Sequence, residues 1–97
     1  MSNLAEYDIS DTVRPRAEFR VGTTLTDPTT ITLVITDPSG NADSYTYAGA
    51  QITKESLGIF YKDITVDEVG EWKAVFTGTG ACAAVVQSRF AVRRTGA

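Results

Sequence analysis

The sequence predicts an all-β domain, an antiparallel sandwich of about seven strands, and three observations carry that prediction. Apolar residues alternate with polar ones over short runs, as in Ile31-Thr32-Leu33-Val34-Ile35-Thr36, which is the period of a half-buried strand. Turn markers such as Asp37-Pro38-Ser39-Gly40 and Gly78-Thr79-Gly80 recur about every 8–12 residues, the spacing of sandwiches and barrels. The chain is rich in Thr, Val and Ile, whose branched side chains suit a pleated strand better than a helix. A small closed barrel is the alternative arrangement. Parallel pairing is not expected, because it needs long crossovers that the chain does not offer.

Residues 1–11 read as an acidic arm that carries Leu4, Tyr7 and Ile9 without sustained periodicity. Such a segment is expected to stay unstructured until a partner orders it. The first strand, Thr12–Val21, places Val13, Pro15, Ala17, Phe19 and Val21 on one face and Arg14, Arg16, Glu18 and Arg20 on the other. Pro15 donates no backbone hydrogen bond, so this strand belongs at an edge or bends there. Ile31, Leu33 and Ile35 face inward in the second strand, and the Asp37–Asn41 turn leads into a third, Ser44–Ala48, with Tyr45 and Tyr47 on one face. The pair reads as a hairpin. Gly49–Ser56 is a connection that holds a short strand around Ile52.

The run Gly58–Val66 is out of phase, since Phe60, Ile64 and Val66 share a face with Lys62. Either a bulge near Lys62 restores the alternation, or Lys62 buries its stem and leads its ammonium to the rim. Asp67-Glu68-Val69-Gly70 then turns into a strand whose inward positions read Trp72, Ala74 and Phe76. In immunoglobulin-like sandwiches an aromatic just after such a corner pins the penultimate strand into the core, and Trp72 takes that place here. Trp72 is expected beside Phe19, Phe90, Ile31, Leu33 and Ile35. The last strand, Ala84–Val92, turns Val86, Ser88, Phe90 and Val92 inward. The organisation is therefore an arm (1–11), one immunoglobulin-like domain (12–92) and a tail (93–97), with Phe19, Leu33, Trp72, Phe76 and Phe90 as the core.

Residue chemistry excludes much. The 97 residues hold no His and a single Cys, so neither an intrachain disulfide nor a zinc site of several Cys and His ligands can form. Cys82, in an Ala-rich run, reads as a small buried hydrophobe. The Asp37–Asp43 turn places three candidate oxygens together, but turn chemistry explains its Asp, Ser, Gly and Asn without calcium. Asp67 and Glu68 sit in a corner where Asp caps the turn, and Gly78-Thr79-Gly80 precedes a strand rather than the helix a phosphate loop needs. No catalytic residues, cofactor or metal are expected, and the chain is read as no enzyme. The net charge of −3 argues against nucleic acid as a partner. No apolar run approaches a membrane span. The N-terminus lacks the basic and apolar regions of a signal peptide, which points to synthesis in a cytoplasm.

The charge is unevenly placed. Residues 21–77 carry a net −5, three lysines against eight carboxylates, whereas all six arginines lie in or just beyond the first and last strands: Arg14, Arg16, Arg20, Arg89, Arg93 and Arg94. They are either solvated faces or an arginine-bearing edge that docks on an acidic partner. With Leu4, Tyr7 and Ile9 of the arm they form the candidate partner-binding set.

One succession of motifs covers nearly the whole chain: Tyr7-Asp8 and Asp11-Thr12-Val13-Arg14, Asp27-Pro28-Thr29-Thr30-Ile31-Thr32-Leu33, Thr36-Asp37-Pro38-Ser39-Gly40, Tyr45-Thr46-Tyr47, Ile52-x-Lys54-x-Ser56-x-Gly58, Gly70-x-Trp72, Gly78-Thr79-Gly80 and Phe90-x-Val92. Its order resembles the small immunoglobulin-like structural proteins of tailed bacteriophages and prophages. The resemblance implies a non-catalytic virion protein that decorates or cements the capsid or head–tail region. It implies other virion proteins as partners, many copies on a repeating lattice, and synthesis in the bacterial host cytoplasm. The alternatives are a tail accessory protein, or a carbohydrate- or surface-binding sandwich module whose loops carry recognition. A chain that needs no metal gives thermal melts that coincide with and without chelator. A melting temperature raised reproducibly by calcium or zinc would reverse that expectation.

Overall fold

The computed structural model describes residues 5–93. Among them the chain runs through twelve short strands: β1 (Ala5–Asp8), β2 (Thr12–Val13), β3 (Arg16–Glu18), β4 (Arg20–Val21), β5 (Thr24–Leu25), β6 (Thr30–Thr36), β7 (Ala42–Thr46), β8 (Thr53–Ser56), β9 (Ile59–Tyr61), β10 (Ile64–Thr65), β11 (Gly70–Thr79) and β12 (Ala84–Arg93). Five make one sheet in the order β1-β12-β11-β6-β7, and β3-β9-β8 with the pairs β2-β10 and β4-β5 make the opposing layer. One apolar cluster joins the layers, with Ile31, Leu33, Ile35, Trp72, Ala74, Phe76, Phe90 and Val92 from the first and Val13, Ala17, Phe19 and Phe60 from the second. The protein is an all-β sandwich.

The alternation expected of the second strand is present without a break. Ile31, Leu33 and Ile35 are buried along β6, and Trp72, Ala74, Phe76 and Gly78 along β11. The two strands pair with Phe76 opposite Leu33, while β11 and β12 pair with Trp72 opposite Phe90. The predicted hairpin is β6 with β7, Leu33 lying opposite Tyr45. Ile52 is buried just before β8, and Cys82 is buried with its thiol 3.5 Å from the Arg20 carbonyl.

The first predicted strand is broken into β2, β3 and β4, and Pro15 accounts for the first break. Val13 pairs with Ile64 and Arg16 with Tyr61, in one unbroken register that sets Pro15 opposite Lys62. Pro15 has no N–H to give there, although its carbonyl still accepts from Lys62 N at 3.2 Å. No bulge stands at Lys62; the register irregularity lies in β8, between Lys54 and Ser56. Of the two readings for Lys62 the second holds. Its stem runs along the inward column, and Nζ reaches 4.4 Å from the centre of the Tyr45 ring. β3 lies at a sheet edge.

Four expectations need correction. The arm is not structureless over its described part: β1 pairs in parallel with β12, Glu6 opposite Ala91 and Tyr7 opposite Val92. A parallel neighbour is available because nearly the whole chain serves as the crossover. Trp72 does not meet Phe19. It stacks on Phe90, ring centres 6.0 Å apart and planes 11° apart, whereas Phe19 meets Phe60 edge-on at 6.0 Å. A Cβ at Gly78 would lie 3.0 Å from Phe19, and six residues of strand, about 20 Å, separate Gly78 from Trp72. Val21, assigned inward, is 54% exposed on the small β4–β5 hairpin, and Ser88, also assigned inward, is exposed.

Truncating Trp72 to Ala removes a stacked pair and costs about 3–5 kcal/mol in a urea titration. Trp72→Ala combined with Phe90→Ala deviates from additivity by about 0.5–3 kcal/mol, whereas Trp72→Ala with Phe19→Ala adds within about 0.5 kcal/mol. Equal coupling for both pairs contradicts the separation of the two aromatic groups.

Candidate functional site

Two turns meet at one end of the sandwich and build a cleft. In the β6–β7 turn the Asp37 carboxylate accepts from Asn41 N at 2.9 Å, Asp37 N donates to the Asn41 carbonyl at 2.9 Å, and Gly40 takes φ 93°. The Asp67–Gly70 corner leans on this turn. Gly70 has φ 136°, and a Cβ there would come within 2.6 Å of the Pro38 side chain, so only glycine allows the approach. The Ser39 hydroxyl hydrogen-bonds the Glu68 carboxylate. The Glu68 carbonyl accepts from the Trp72 indole N–H at 3.0 Å, which gives the buried ring its polar partner.

Between the turns lies a cleft of about 160 Å³. Ile35, Ile64 and Trp72 supply its apolar surface, Tyr45 an aromatic wall, and Asp37, Asp43 and Asp67 its carboxylates. Burial first, and then the Asp43 carboxylate, push the Tyr45 phenol above its ordinary range, so it stays neutral at physiological pH. Among the described residues the ion pairs use Arg14, Arg16, Arg20, Arg93 and Lys54, and none reaches Asp37, Asp43, Asp67, Glu68 or Glu71. The turn end is thus a concentration of carboxylates with no ion-pair partner among those residues, set against aromatic surface. Chemically it suits a positively charged or a hydrogen-bonding polar ligand.

The predicted docking set is scattered and largely neutralised from within. Arg14 grips Asp63 with two bonds, 2.7 and 3.1 Å, and lies 3.9 Å over the Tyr61 ring. Arg16 reaches Glu55 at 3.1 and 3.3 Å and Glu18 at 3.1 Å, and Arg20 closes on Glu18 at 3.0 Å. These three stand on the outward face of the smaller layer. Arg93 ties β12 to β1 through Asp8 at 3.2 Å and Glu6 at 3.6 Å. Arg89 is exposed on the outer face of the other sheet. Tyr7 packs edge-on against Phe90 at 5.7 Å, and Tyr7 and Ile9 are half-buried against the core. They hold β1 in place rather than waiting as anchors. Leu4 and Arg94 lie outside the described residues.

Sequence reasoning passed over Asp27. Its carboxylate accepts from Gly58 N at 2.7 Å and from Lys54 Nζ at 2.6 Å, joining the loop before β6 to β8 and to the β8–β9 turn. The Thr-Asp-Pro motif signals a turn there, but nothing local names partners some thirty residues away. The cleft was missed for the same reason, since its walls come from separate strands.

No family model matches the chain, and no curated protein matches it. Among solved structures, one similar chain is a "putative glycoside hydrolase" from Bacteroides vulgatus ATCC 8482, with TM-score 0.62 and 10% identity. The match covers 95% of this chain and 17% of that one. At that identity the likeness is one of fold. This chain spans about a sixth of the other protein's length.

Bonds to Arg14 hold the Asp63 carboxyl below its usual range. Arg20 and then Arg16 do so for Glu18, Arg16 for Glu55, and Lys54 followed by Gly58 N–H for Asp27. A carboxylate whose pKa is lowered on folding stabilises the fold above its unfolded pKa, and that stability is lost as pH falls through the folded value. The melting temperature therefore holds between pH 7 and 5 and falls below about pH 4. Asp27→Asn flattens part of that acid limb, and a limb unchanged in slope contradicts the role given to Asp27.

Proposed function

We propose that this chain is a non-catalytic virion structural protein of a tailed phage, an accessory that decorates or cements the capsid or head–tail region. The observation that carries the reading is the order of its turn motifs, which runs the length of the chain and falls on the connections of a single sandwich. Asp27-Pro28 precedes β6, Asp37–Gly40 joins β6 to β7, Gly58 starts the return through β9, and Gly78–Gly80 closes the β11–β12 hairpin. The strand orders support an immunoglobulin-like arrangement. β12-β11-β6-β7 runs as G-F-C-C′ and β3-β9-β8 as B-E-D in that family of sandwiches. The protein is made in the host cytoplasm and works in many copies, so that avidity holds a modest contact.

The charge layout changes the surface that does the docking. Four of the five described arginines are held by carboxylates of this same chain, which leaves them little to offer an acidic lattice. The carboxylates of the turn end, with Tyr45 and Trp72 between them, fit a basic patch on another virion protein. A second reading, a carbohydrate- or surface-binding module, draws on the same cleft and on the fold shared with part of the glycoside hydrolase chain described above.

The test adds protein to particles stripped of the native copy. Asp43→Lys with Asp67→Lys abolishes occupancy, and rising salt weakens wild-type binding. Arg14→Glu with Arg16→Glu, shown by circular dichroism to be folded, leaves occupancy within about twofold, as expected when those side chains only pair internally. Reversed results return the docking surface to the arginines. Wild-type protein that ignores particles but is retained on immobilised glycans establishes the second reading.

A further inference from the structure

Among the described residues, a strand covers the sheet edge formed by β12 over less than half its length. There β1 lies beside Phe90–Arg93, and Ala84–Arg89 has β11 on one side and no described strand on the other. The Arg93 carbonyl accepts from Ile9 N at 2.9 Å and therefore points toward the β1 side. Residues two apart in a strand point their backbone groups the same way. Val85, Gln87 and Arg89 thus turn their N–H and C=O groups to the uncovered edge, while Ala84, Val86 and Ser88 face β11.

Three other edge strands, β3, β8 and β7, are blunted. β3 is three residues long, carries Arg16 and Glu18, and follows Pro15; β8 carries Lys54 and Glu55 and a register irregularity; β7 is five residues long and carries Asp43. Short length, charge, proline and bulges are the devices that keep an edge from pairing with another chain. The open stretch of β12, Ala-Val-Val-Gln-Ser-Arg, has one charge, no proline and no bulge. Val85 is 66% exposed, the most exposed large apolar residue described, and Ala84 and Val86 are half-buried at the margin of the core.

We propose that this stretch pairs with the same stretch of a second copy, antiparallel about a two-fold axis at Gln87. The register is self-complementary. Gln87 meets Gln87, and each Val85 meets the aliphatic stem of the other copy's Arg89, so no like charges stand opposite each other. Charge also favours this partner. The carboxylates of the turn end lie where Gly70 pairs with Val92, eight residues from Gly78 opposite Ala84, or about 26 Å along the strand. Edge pairing in this sense sends the two acidic ends in opposite directions. The paired stretch is short, so the dimer is weak in dilute solution and is reinforced where copies are crowded. The inference rests on the edge alone and stands whether or not the chain is a virion protein.

Sedimentation equilibrium of the full chain across a concentration series tests it. The weight-average mass rises toward twice the monomer, and the association does not weaken with salt. Val85→Lys, which places a charge on the edge, weakens association by about tenfold or more, with an unchanged melting temperature. Gln87→Pro removes only an N–H that points away from β11 and acts in the same sense. A monomer at every concentration overturns the proposal, as does association that both variants leave intact. It is also overturned if the amides of Val85, Gln87 and Arg89 resist hydrogen exchange in a monomer and lose that protection when residues 1–4 are removed, because the chain's own N-terminus is then the occupant.

Discussion

Between Lys73 and Gly78, β11 is paired on both flanks, with β6 on one side and β12 on the other. Its inward column of Trp72, Ala74, Phe76 and Gly78 meets Ile31, Leu33 and Ile35 across one ladder and Val86, Phe90 and Val92 across the other. Because successive side chains of a strand alternate between faces, slipping this strand by one residue would turn the whole column to solvent. That constraint fixes the register of the large sheet and hence where the smaller layer can seat Phe19 and Phe60. It also sets the corner: with Trp72 held, the indole N–H reaches the Glu68 carbonyl and Gly70 is driven against Pro38, which forms the cleft.

The parts of the fold that were legible in the sequence are those decided by local alternation and turn chemistry. β6, the β6–β7 turn, β11 and most of β12 follow from period and from Asp, Pro and Gly placement. What escaped was decided by distant pairing. β1 has only four residues, too few to show a period, and its partner lies 85 positions away. The placement of Phe19 escaped because inward-facing positions say which side chains are buried and not at which end of the sandwich. At Lys62 the phase alone allowed two answers. Pro15, in the facing strand, decided between them by interrupting a ladder whose register never shifts.

The candidate site was less legible than the fold. Counting arginines located charge without its counter-charge, since Arg14 finds Asp63 and Arg16 finds Glu55 only after two strands have paired. Exposed pairs of this kind contribute modestly to stability, yet they remove guanidinium groups from the inventory available to a partner. What remains is an acidic end and an edge of low charge. Both are properties of the assembled sheets and neither is written in any single segment.

The parallel contact between β1 and β12 also governs the order of assembly. The other ladders of the large sheet join consecutive strands, except that of β6 with β11, which are separated by β7 to β10 and still span less of the chain. β1 must wait for the final strand before it has anything to pair with. Closing a loop of that length is slow and brings four residue pairs in return. It is therefore expected to form last and to open first, a local equilibrium distinct from global unfolding. Each opening uncovers the margin of β12 from Phe90 to Arg93. How much strand this molecule presents to its surroundings is then a fluctuating quantity, set by how firmly Tyr7 grips Phe90 and Arg93 grips Asp8.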